Sequence, residues 1–341
     1  MRERPQRIFI ATDAWSPQVN GVVRTLETLC AELARMGHDV GMATPAMFKT
    51  APLPTYNEIR LALWGERTVA RLIEDFKPQT IHIATEGPIG FAARRHCLRR
   101  GLHFTTSFHT RFPEYIHARA RIPESWTYRA LRWFHAPAKS VMVATPALRE
   151  DLKARGFQNL RLWSRGVDVE HFRPRDKSWL ALPRPVWLYV GRLAVEKNVE
   201  AFLKLDLPGS KLIVGDGPQG AELRARYPEA NFVGAKFGED LARYYAAADV
   251  FVFPSRTDTF GLVLLEAMAS GLPVAAFPVQ GPRDVIGDSP AGALRDDLRE
   301  ACMRAMTISP NAARAFAMRF SWEACTRQFL NNLAPQDAVF F

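Results

Sequence analysis

The sequence predicts an α/β fold made of two doubly wound, Rossmann-like domains in tandem, and three observations support this prediction. The chain has 341 residues, which is long for one hydrophobic core and suits two domains of ordinary size. It is 48% hydrophobic and 23% charged, as is typical of folded globular proteins rather than disordered ones. In both halves, short apolar runs alternate with amphipathic helical segments, which indicates parallel βαβ units.

The first domain begins with a strand, a helix and a second strand. Residues 7–13 (RIFIATD) have the pattern of a short buried strand that ends in polar residues. The segment after it places apolar residues at helical spacing and stops at Gly37, and residues 39–45 then form the second strand. The alternation continues with strands predicted at 80–85, 103–109, 140–146 and 160–168, and with helices after 80–85 and 140–146.

A second α/β series follows a predicted linker. Residues 169–185 contain three prolines and no clear period, which is typical of a linker. Strands are then predicted at 186–193, 211–218, 231–235, 249–255 and 272–279, with helices before and after the fourth of them. Ligands of open α/β sheets bind beyond the carboxyl ends of the strands, so we expect the site in a cleft between two facing domains.

Charge and cysteine content narrow the possible partners and compartment. The net charge is +10 and the sequence pI about 9.7, which favours nucleic acid, acidic lipid or phosphorylated substrates without choosing among them. The four cysteines form no CxxC pair, so we expect buried reduced thiols rather than a zinc site or disulfides. The N-terminus lacks a stretch of signal-peptide length, and no window could span a bilayer. We expect a cytosolic protein, and contact with the inner membrane surface stays open.

The segment 253–274 is the most informative stretch of the chain. A strand ends at Phe253, a polar loop follows, and a helix opens at Phe260-Gly261-Leu262 with free backbone N–H groups. Glu266 lies roughly 7.5 Å along the helix axis. With Asp258 in the loop, two acids could hold two parts of one elongated ligand, with phosphates between them and ribose hydroxyls on Glu266. The alternative is that Glu266 points to solvent from an amphipathic helix.

Five other residues follow predicted strands and carry candidate binding groups. Arg192 and Lys197 could converge on one anion, or both could be solvated surface cations. Gly21 stands where a helix begins and could bring backbone N–H groups to a phosphate, or it could belong to an Asn-Gly turn. Gly217, in a tight GDGP loop, could contact a base or only turn the chain. His109, at a strand end, could donate to a sugar hydroxyl or phosphate, or be a capping or core histidine.

Taken together, these motifs resemble a known family over nearly the whole chain. They are NGV at 20–22, GRLxxEKN at 191–198, GDGP at 215–218, FGLVLLEAMASGLPV at 260–274 and FSWE at 320–323. The chain resembles the retaining GT-B glycosyltransferases of family 4, which include bacterial mannosyl- and glucosyltransferases. The resemblance implies domains at 1–170 and 171–320, with a C-terminal helix, 321–341, that packs back on the first domain.

The resemblance also implies roles for the donor-side residues. Arg192 and Lys197 would bind the donor diphosphate, helped by Gly21 and the backbone of Phe260, Gly261 and Leu262. Gly217 would also belong to the donor site. Glu266 would hold the nucleotide ribose. His109 would lie beside the donor sugar and the reacting centre. Asp258 occupies the first acidic position of the family's E-x7-E motif and would touch the sugar, but it is one methylene shorter than the usual Glu, so the sugar is not identified.

The chemistry implied is retaining hexosyl transfer from a nucleoside-diphosphate sugar. The departing diphosphate gains negative charge, which the two cations and helix N-termini are placed to stabilise. No DxD pair follows a predicted strand, so we expect neither a metal nor any cofactor besides the donor substrate. Retention would follow from attack on the same face, with the leaving phosphate taking the acceptor's proton.

The acceptor is predicted from a basic, aromatic stretch at 111–139. Arginines there alternate with aromatic residues, which favours a headgroup boundary and an anionic lipid surface. We therefore expect a lipid acceptor, diacylglycerol- or phosphatidylinositol-like. The residues named for this role are Arg111, Tyr115, Arg119, Arg121, Trp126, Arg129, Arg132 and Trp133. The alternatives are that the aromatic residues pack onto the domain and the arginines are solvated, or that the acceptor is soluble or a polysaccharide.

Two further classes of function remain as rivals. A sugar-nucleotide epimerase would use the same nucleotide-binding groups and need no acceptor surface. A basic nucleic-acid-binding protein would concentrate lysine and arginine on one face and carry a recognisable binding module. No such module occurs and the charge is spread over both halves, so nucleic acid is not an expected partner.

Overall fold

The chain divides into two compact units. A computed structural model describes residues 5–16, 18, 21–53, 56–63, 65–109, 123–256 and 260–337. Unit 1 comprises Met1–Arg165 and Trp322–Phe341, and unit 2 comprises Gly166–Ser321. The boundary between unit 1 and unit 2 therefore lies after Arg165, before the domain boundary predicted after residue 170. The reason is that Val167 and Val169 pack in a core of unit 2 and Val167 N–H donates to the carbonyl of Phe320 at 2.8 Å.

Unit 1 is built on a six-stranded parallel sheet. The described strands of the whole unit, inside and outside this sheet, are β1 (Arg7–Ala11), β2 (Asp39–Ala43), β3 (Thr50–Leu53), β4 (Tyr56–Ala62), β5 (Thr80–Ile83), β6 (Thr105–Phe108), β7 (Val141–Val143) and β8 (Leu160–Leu162). Its first helices are α1 (Gly21–Arg35), α2 (Glu66–Phe76), α3 (Pro88–Arg100), α4 (Glu124–His135) and α5 (Pro146–Ala154), with a 3-10 turn at Pro45–Met47. The sheet order is β2-β1-β5-β6-β7-β8, and β3 and β4 form a separate antiparallel hairpin.

Unit 2 has a second six-stranded parallel sheet. Its strands are β9 (Val186–Val190), β10 (Ser210–Val214), β11 (Asn231–Phe232), β12 (Val250–Phe253), β13 (Val274–Ala276) and β14 (Gly292–Leu294). Its helices are α6 (Val199–Leu203), α7 (Gly220–Arg226), α8 (Gly238–Ala247), α9 (Leu262–Ala269), α10 (Gln280–Val285), α11 (Leu298–Ala305) and α12 (Pro310–Ala317), with 3-10 turns at Val195–Lys197 and Met318–Phe320. The order β11-β10-β9-β12-β13-β14 confirms the doubly wound fold class.

The C-terminal helix α13 (Trp322–Asn332) belongs to unit 1. Cys325 and Phe329 of this helix pack in one core with Leu26 and Leu29 of α1 and with Trp163. The helical spacing predicted for the α1 segment is confirmed, because its buried residues form one apolar face. The helix ends before Gly37, whose φ of +91° lies in the left-handed region that glycine adopts without strain.

The states of the cysteines agree in most respects with the prediction of buried, reduced thiols. All four thiols are free; three are buried as predicted, whereas Cys30 is only half-buried. No helix among the described residues is long and apolar enough to cross a membrane. The same residues contain no cluster of three or more His, Cys, Asp or Glu side chains that could hold a metal ion.

Candidate functional site

Three loops of unit 2 meet at the carboxyl edge of its sheet. The strand order reverses between β9 and β12, and this switch point is where doubly wound sheets bind ligands. The loop 191–198 leaves β9 there, the loop after β12 leaves the neighbouring strand, and the GDGP loop 215–218 leaves β10 on the other side of β9. The fold therefore brings the predicted donor-side segments to one edge.

Hydrogen bonds join these three loops into one unit, which we call the loop rim (residues 191–198, 215–219, 254–256 and 260–262). The side-chain amide of Asn198 donates to the carbonyl of Pro254 at 3.1 Å. The backbone N–H of Leu193 donates to the carbonyl of Asp216 at 2.9 Å, and that of Gln219 donates back to Leu193 at 3.0 Å. The loop rim is thus held by two backbone hydrogen bonds and by the side chain of Asn198, which keep the loops together at one edge of the sheet.

Glycines in the GDGP loop are required by this close packing. A Cβ on Gly215 would lie 1.9 Å from the carbonyl oxygen of Gly191, and the φ of Gly215 is +145°. A Cβ on Gly217 would lie 2.4 Å from the carbonyl oxygen of Leu193. These contacts explain both glycines as parts of a tight turn. A ligand contact of Gly217 stays a prediction.

The two predicted cations belong to a single loop of the rim. Arg192 is exposed, and its guanidinium pairs with the carboxylate of Glu196 one turn later. Hydrogen bonds from its own backbone N–H and from Arg192 lower the pKa of the Glu196 carboxyl. Lys197 ends the 3-10 turn in the same loop. Glu196 was not predicted, although its i+4 spacing from Arg192 was visible in the sequence.

Helix α9 starts at the loop rim without a side-chain cap. Gly261 is its N-cap residue, with φ of +76° and ψ of 73°, a left-handed conformation that glycine adopts at little cost. Phe260 packs against the core of unit 2, which holds the start of the helix in place. The first N–H groups of a helix carry a partial positive charge, so this end favours an anion. Asp258 lies outside the described residues.

Glu266 is buried on α9, not directed to solvent. It is 6% exposed and its neighbours Leu265, Ala267 and Met268 are fully buried. The hydroxyl of Tyr245, on α8, donates to Oε2 of Glu266 at 3.0 Å. The solvent-facing alternative is therefore wrong. Sequence reasoning did not find Tyr245, because a pair 21 residues apart on two helices leaves no local signal.

The switch point of unit 1 is filled by a carboxylate of its own. This point lies between β1 and β5. Asp13, just after β1, accepts hydrogen bonds from the backbone N–H groups of Ile89 at 2.9 Å and Gly90 at 3.2 Å, and from the hydroxyl of Thr85 at 2.9 Å. Burial raises the pKa of the Asp13 carboxyl, although these hydrogen bonds oppose the shift. The N-terminus of α3 thus already holds an anionic group.

Gly21 begins α1, as predicted, and none of the described residues requires a glycine there. A Cβ at this position would meet no atom of the described residues within 4 Å. Its contribution to phosphate binding stays a prediction.

His109 follows β6 and pairs with a residue that the sequence did not indicate. Nη2 of Arg165 lies 2.9 Å from Nδ1 of the imidazole. Nε2 of His109 is buried and has no hydrogen-bond partner among the described residues. Burial first, and then Arg165, His82 and His135, keep the pKa of His109 well below its ordinary value. The segment 160–168 contains two arginines, Arg161 and Arg165, and nothing in the sequence indicates which of them faces His109.

The predicted acceptor face is partly exposed and partly core. Trp126 and Trp133 on α4 are 71% and 58% exposed, whereas Tyr128 and Leu131 pack in the core. The alternative, in which these side chains pack onto the domain, is therefore correct for Tyr128 and Leu131 and wrong for Trp126 and Trp133. Arg132 donates to the carbonyl of Arg155 at 3.0 Å. Arg129 is exposed, and Arg111, Tyr115, Arg119 and Arg121 lie outside the described residues.

Helix α3 extends this exposed surface. Arg94 places its guanidinium 4.0 Å from the ring centroid of Trp133, and Phe91 stacks on the same ring at 6.2 Å. A pocket of about 330 Å³ lies between the two helices. We call this surface the aromatic–basic face, and its residues are Phe91, Arg94, Arg95, Leu98, Arg99, Trp126, Arg129 and Trp133. Sequence reasoning missed the α3 contribution because α3 and α4 are separate in the chain.

Comparison with known families matches both halves of the chain. Residues 19–171 match the model of Glycosyltransferase Family 4, and residues 184–308 match the model of Glycosyl transferases group 1. Among solved structures, sucrose-phosphate synthase from Thermosynechococcus elongatus has a TM-score of 0.70 at 24% identity and covers 96% of this chain and 98% of its own. The galactosyltransferase WaaB has a TM-score of 0.70 at 17% identity with the same coverage. These structures show that the fold is GT-B.

Curated relatives extend the comparison over most of the chain. A GDP-mannose-dependent alpha-mannosyltransferase of Mycobacterium tuberculosis (strain CDC 1551 / Oshkosh) is 31% identical over 84% of this chain and 83% of its own. The sulfoquinovosyl transferase SQD2 of Arabidopsis thaliana is 30% identical over 96% and 73%. An alpha-monoglucosyldiacylglycerol synthase of Streptococcus pneumoniae is 26% identical over 89% and 79%.

Proposed function

The chain belongs to glycosyltransferase family 4, and from this premise we propose that it is a retaining, metal-independent hexosyltransferase. It takes a hexose from a nucleoside-diphosphate sugar and transfers it to a membrane lipid, diacylglycerol- or phosphatidylinositol-like, at the cytoplasmic face of the membrane. A soluble or polysaccharide acceptor is the alternative within the same class.

The observation that carries the proposal is the combination of the loop rim with an uncapped helix and a buried carboxylate. The diphosphate binds at the N-terminus of α9, where Gly261 offers no side-chain cap to the first N–H groups. Arg192 and Lys197 add positive charge from the same rim. Glu266 accepts hydrogen bonds from the ribose hydroxyls, and Tyr245 holds its second oxygen in position.

These groups stabilise the departure of the leaving group. The bond between the anomeric carbon and the diphosphate oxygen breaks, and the electron pair stays on the diphosphate. The acceptor hydroxyl attacks on the same face, and its proton passes to the leaving phosphate oxygen. Arg192 exchanges Glu196 for the diphosphate at small cost, because an exposed ion pair in water is weak. Fixed positive charge at this position lowers the barrier without a metal ion.

The aromatic–basic face supports a lipid acceptor. Exposed tryptophans favour the headgroup region of a membrane, and the exposed Arg129 beside them attracts anionic lipid. Arg95 and Arg99 also lie at the surface, where both pair with Glu66. One of the relatives reported above, the alpha-monoglucosyldiacylglycerol synthase, is named for a glycolipid product. The alpha-mannosyltransferase names GDP-mannose as its donor.

The donor half of the proposal is tested by binding and product analysis. Thermal shifts with UDP- and GDP-sugars identify the donor, since a ligand at 1,000 times its Kd stabilises by about 4 kcal/mol. We expect Glu266→Ala to weaken nucleoside-diphosphate binding about 100-fold, whereas Glu229→Ala, an exposed carboxylate of unit 2, has no effect. Unchanged binding by Glu266→Ala contradicts the ribose role.

Product analysis then separates the reaction classes. With lipid extract, we expect a glycolipid whose anomeric configuration matches the donor and whose formation survives EDTA. Epimerised nucleotide sugar in the absence of any acceptor instead supports the epimerase rival.

The membrane half is tested by sedimentation with liposomes. Vesicles of phosphatidylcholine with phosphatidylglycerol should bind more protein than phosphatidylcholine alone, and salt should weaken the difference as it shortens the Debye length below about 10 Å. Trp126→Ala should reduce binding. Trp179→Ala is the matched control, because Trp179 is also exposed but packs on Tyr244 of unit 2. Binding that ignores lipid charge and salt contradicts the electrostatic part.

A further inference from the structure

The His109–Arg165 contact defines the position of the imidazole proton. Guanidinium nitrogens only donate hydrogen bonds. The 2.9 Å contact between Nη2 of Arg165 and Nδ1 of His109 therefore requires a lone pair on Nδ1. A neutral imidazole carries one proton, so that proton must be on Nε2.

The surroundings of the pair oppose a second proton on the ring. Trp163 lies edge-on to His109 with ring centroids 5.7 Å apart, and the Arg165 guanidinium lies 5.4 Å from the Trp163 ring. Nη1 of Arg165 is buried without a hydrogen-bond partner among the described residues. A buried cation facing Nδ1 repels a further positive charge on the imidazole, so His109 stays neutral.

We propose that Arg165 is a positioning residue that holds His109 neutral with its proton on Nε2, so that His109 donates a hydrogen bond to the substrate and does not act as a general base. The role in transfer rests on the proposed function, whereas the proton position does not. The two buried atoms without partners, Nε2 of His109 and Nη1 of Arg165, are both donors. The group that satisfies them must present acceptors, such as sugar hydroxyl or phosphate oxygens.

This protonation state of His109 decides where the proton of the acceptor hydroxyl goes. Nε2 already carries a proton and Nδ1 faces a cation, so the ring has no free lone pair for the acceptor hydroxyl. The proton of that hydroxyl must go to the leaving phosphate oxygen, as in the step proposed above. Other titratable groups near the ring, among the described residues, are His82 on β5, His135 on α4 with its partner Glu86, and Cys325 on α13.

Nitrogen-15 NMR on histidine-labelled protein tests the proton position without any substrate. The His109 signals are assigned by difference with His109→Gln. We expect the Nε2–H tautomer, and no titration of the ring near its ordinary pKa. A signal from the Nδ1–H tautomer, or titration near pH 6.5, overturns the proposal.

Variants of Arg165 test the positioning role in the active protein. Arg165→Met removes the donor, so we expect kcat to fall about 10- to 100-fold, with a new acidic limb in the pH profile as His109 becomes protonatable. Arg165→Lys keeps a donor and a charge and should restore the wild-type tautomer and pH profile. An Arg165→Met pH profile identical to that of the wild type contradicts the proposal.

A failure of Arg165→Met to fold and a failure of the proposed function can each be distinguished from a wrong proton position. If Arg165→Met does not fold, Arg165→Gln takes its place; its amide restores the tautomer but not the charge, so only the pKa should rise. If NMR shows the Nε2–H tautomer while no donor sugar is transferred under any condition, the proposed function fails and the proton position stands.

Discussion

The two units share a sheet topology around the switch point but differ in what occupies the helix next to it. In unit 1, α3 follows β5 and its N-terminal N–H groups bind the carboxylate of Asp13. In unit 2, α9 follows β12 and starts at Gly261 without a side-chain cap. Both helices therefore provide an anion site, but unit 1 fills this site from its own chain. Among the described residues, no side chain of unit 2 fills the corresponding site, where we propose that a ligand phosphate binds.

Giving unit 2 a carboxylate of its own should have the largest effect. Gly261→Asp places an anion where α9 begins, so we expect nucleoside-diphosphate affinity to fall about 100-fold through like-charge repulsion. Gly261→Asn is the matched control, since Asn and Asp share shape and tolerate left-handed φ. Titration calorimetry measures both variants. Equal affinities for Asp and Asn would show that charge at this helix end does not matter.

Removing the carboxylate of unit 1 should cost stability rather than donor binding. Asp13→Ala leaves two buried N–H groups and the hydroxyl of Thr85 without their acceptor. We expect a loss of about 2–4 kcal/mol, and therefore a Tm lower by about 5–10 °C, in differential scanning calorimetry. Asp13→Asn retains one oxygen acceptor and should lose less. A donor affinity that falls with the Tm would mean that the two switch points are not independent.

Acid should destabilise unit 1 before unit 2. Burial lowers the pKa of His82 to about 3, so its unfolded form takes up a proton below pH 6.5 while the folded form does not. The stability contribution is therefore complete above pH 6.5 and is lost toward pH 3, at about 1.4 kcal/mol per pH unit. Residues 166–321 contain a single histidine, His171, which is not buried.

Hydrogen exchange, resolved by peptide and corrected for its intrinsic pH dependence, measures this difference. Peptides of unit 1 should lose protection first as the pH falls from 7 to 5. His82→Gln should flatten that slope even if the variant is less stable at neutral pH. Simultaneous loss of protection in both units would contradict the assignment to His82.

The smallest effect is expected at the start of α1. Gly21→Ala adds a methyl group that meets no atom of the described residues, so the Tm should stay the same or rise slightly, since Ala favours helices by up to about 1 kcal/mol. If a phosphate approaches the Gly21 backbone, donor affinity should fall several-fold with no loss of Tm. A lower Tm would instead show that the protein itself requires this glycine.

Local periodicity accounts for the elements that were predicted and for those that were missed. The strands of both sheets except β14, and helices α1, α3, α5, α8 and α9, follow from apolar runs and glycine stops in short windows. Strand β14, the β3–β4 hairpin and helices α2, α4, α6, α7, α10, α11 and α12 were not predicted. The α4 segment is rich in arginine and tryptophan, and both of its tryptophans are exposed. Its large apolar residues therefore do not mark one buried face at helical spacing.

The candidate site also contains some features that the sequence predicted and others that it did not. Glycines at 215, 217 and 261 mark the loop rim because tight backbone packing and left-handed φ exclude other residues, and such constraints appear directly in the sequence. The hydrogen bonds between Tyr245 and Glu266 and between Arg165 and His109 join positions 21 and 56 residues apart. Side-chain pairs over such separations leave no periodic pattern.

The sequence by itself determined the two-domain α/β class, the family and the residue types available for a sugar nucleotide, because hydrophobic period and glycine placement act over a few residues. Only the tertiary structure decided that Glu266 is buried and accepts a hydrogen bond from Tyr245, that Asp13 occupies the anion site of unit 1, and that Arg165 faces the imidazole of His109. These outcomes depend on which strand ends lie side by side, and that order is set by the packing of the whole sheet.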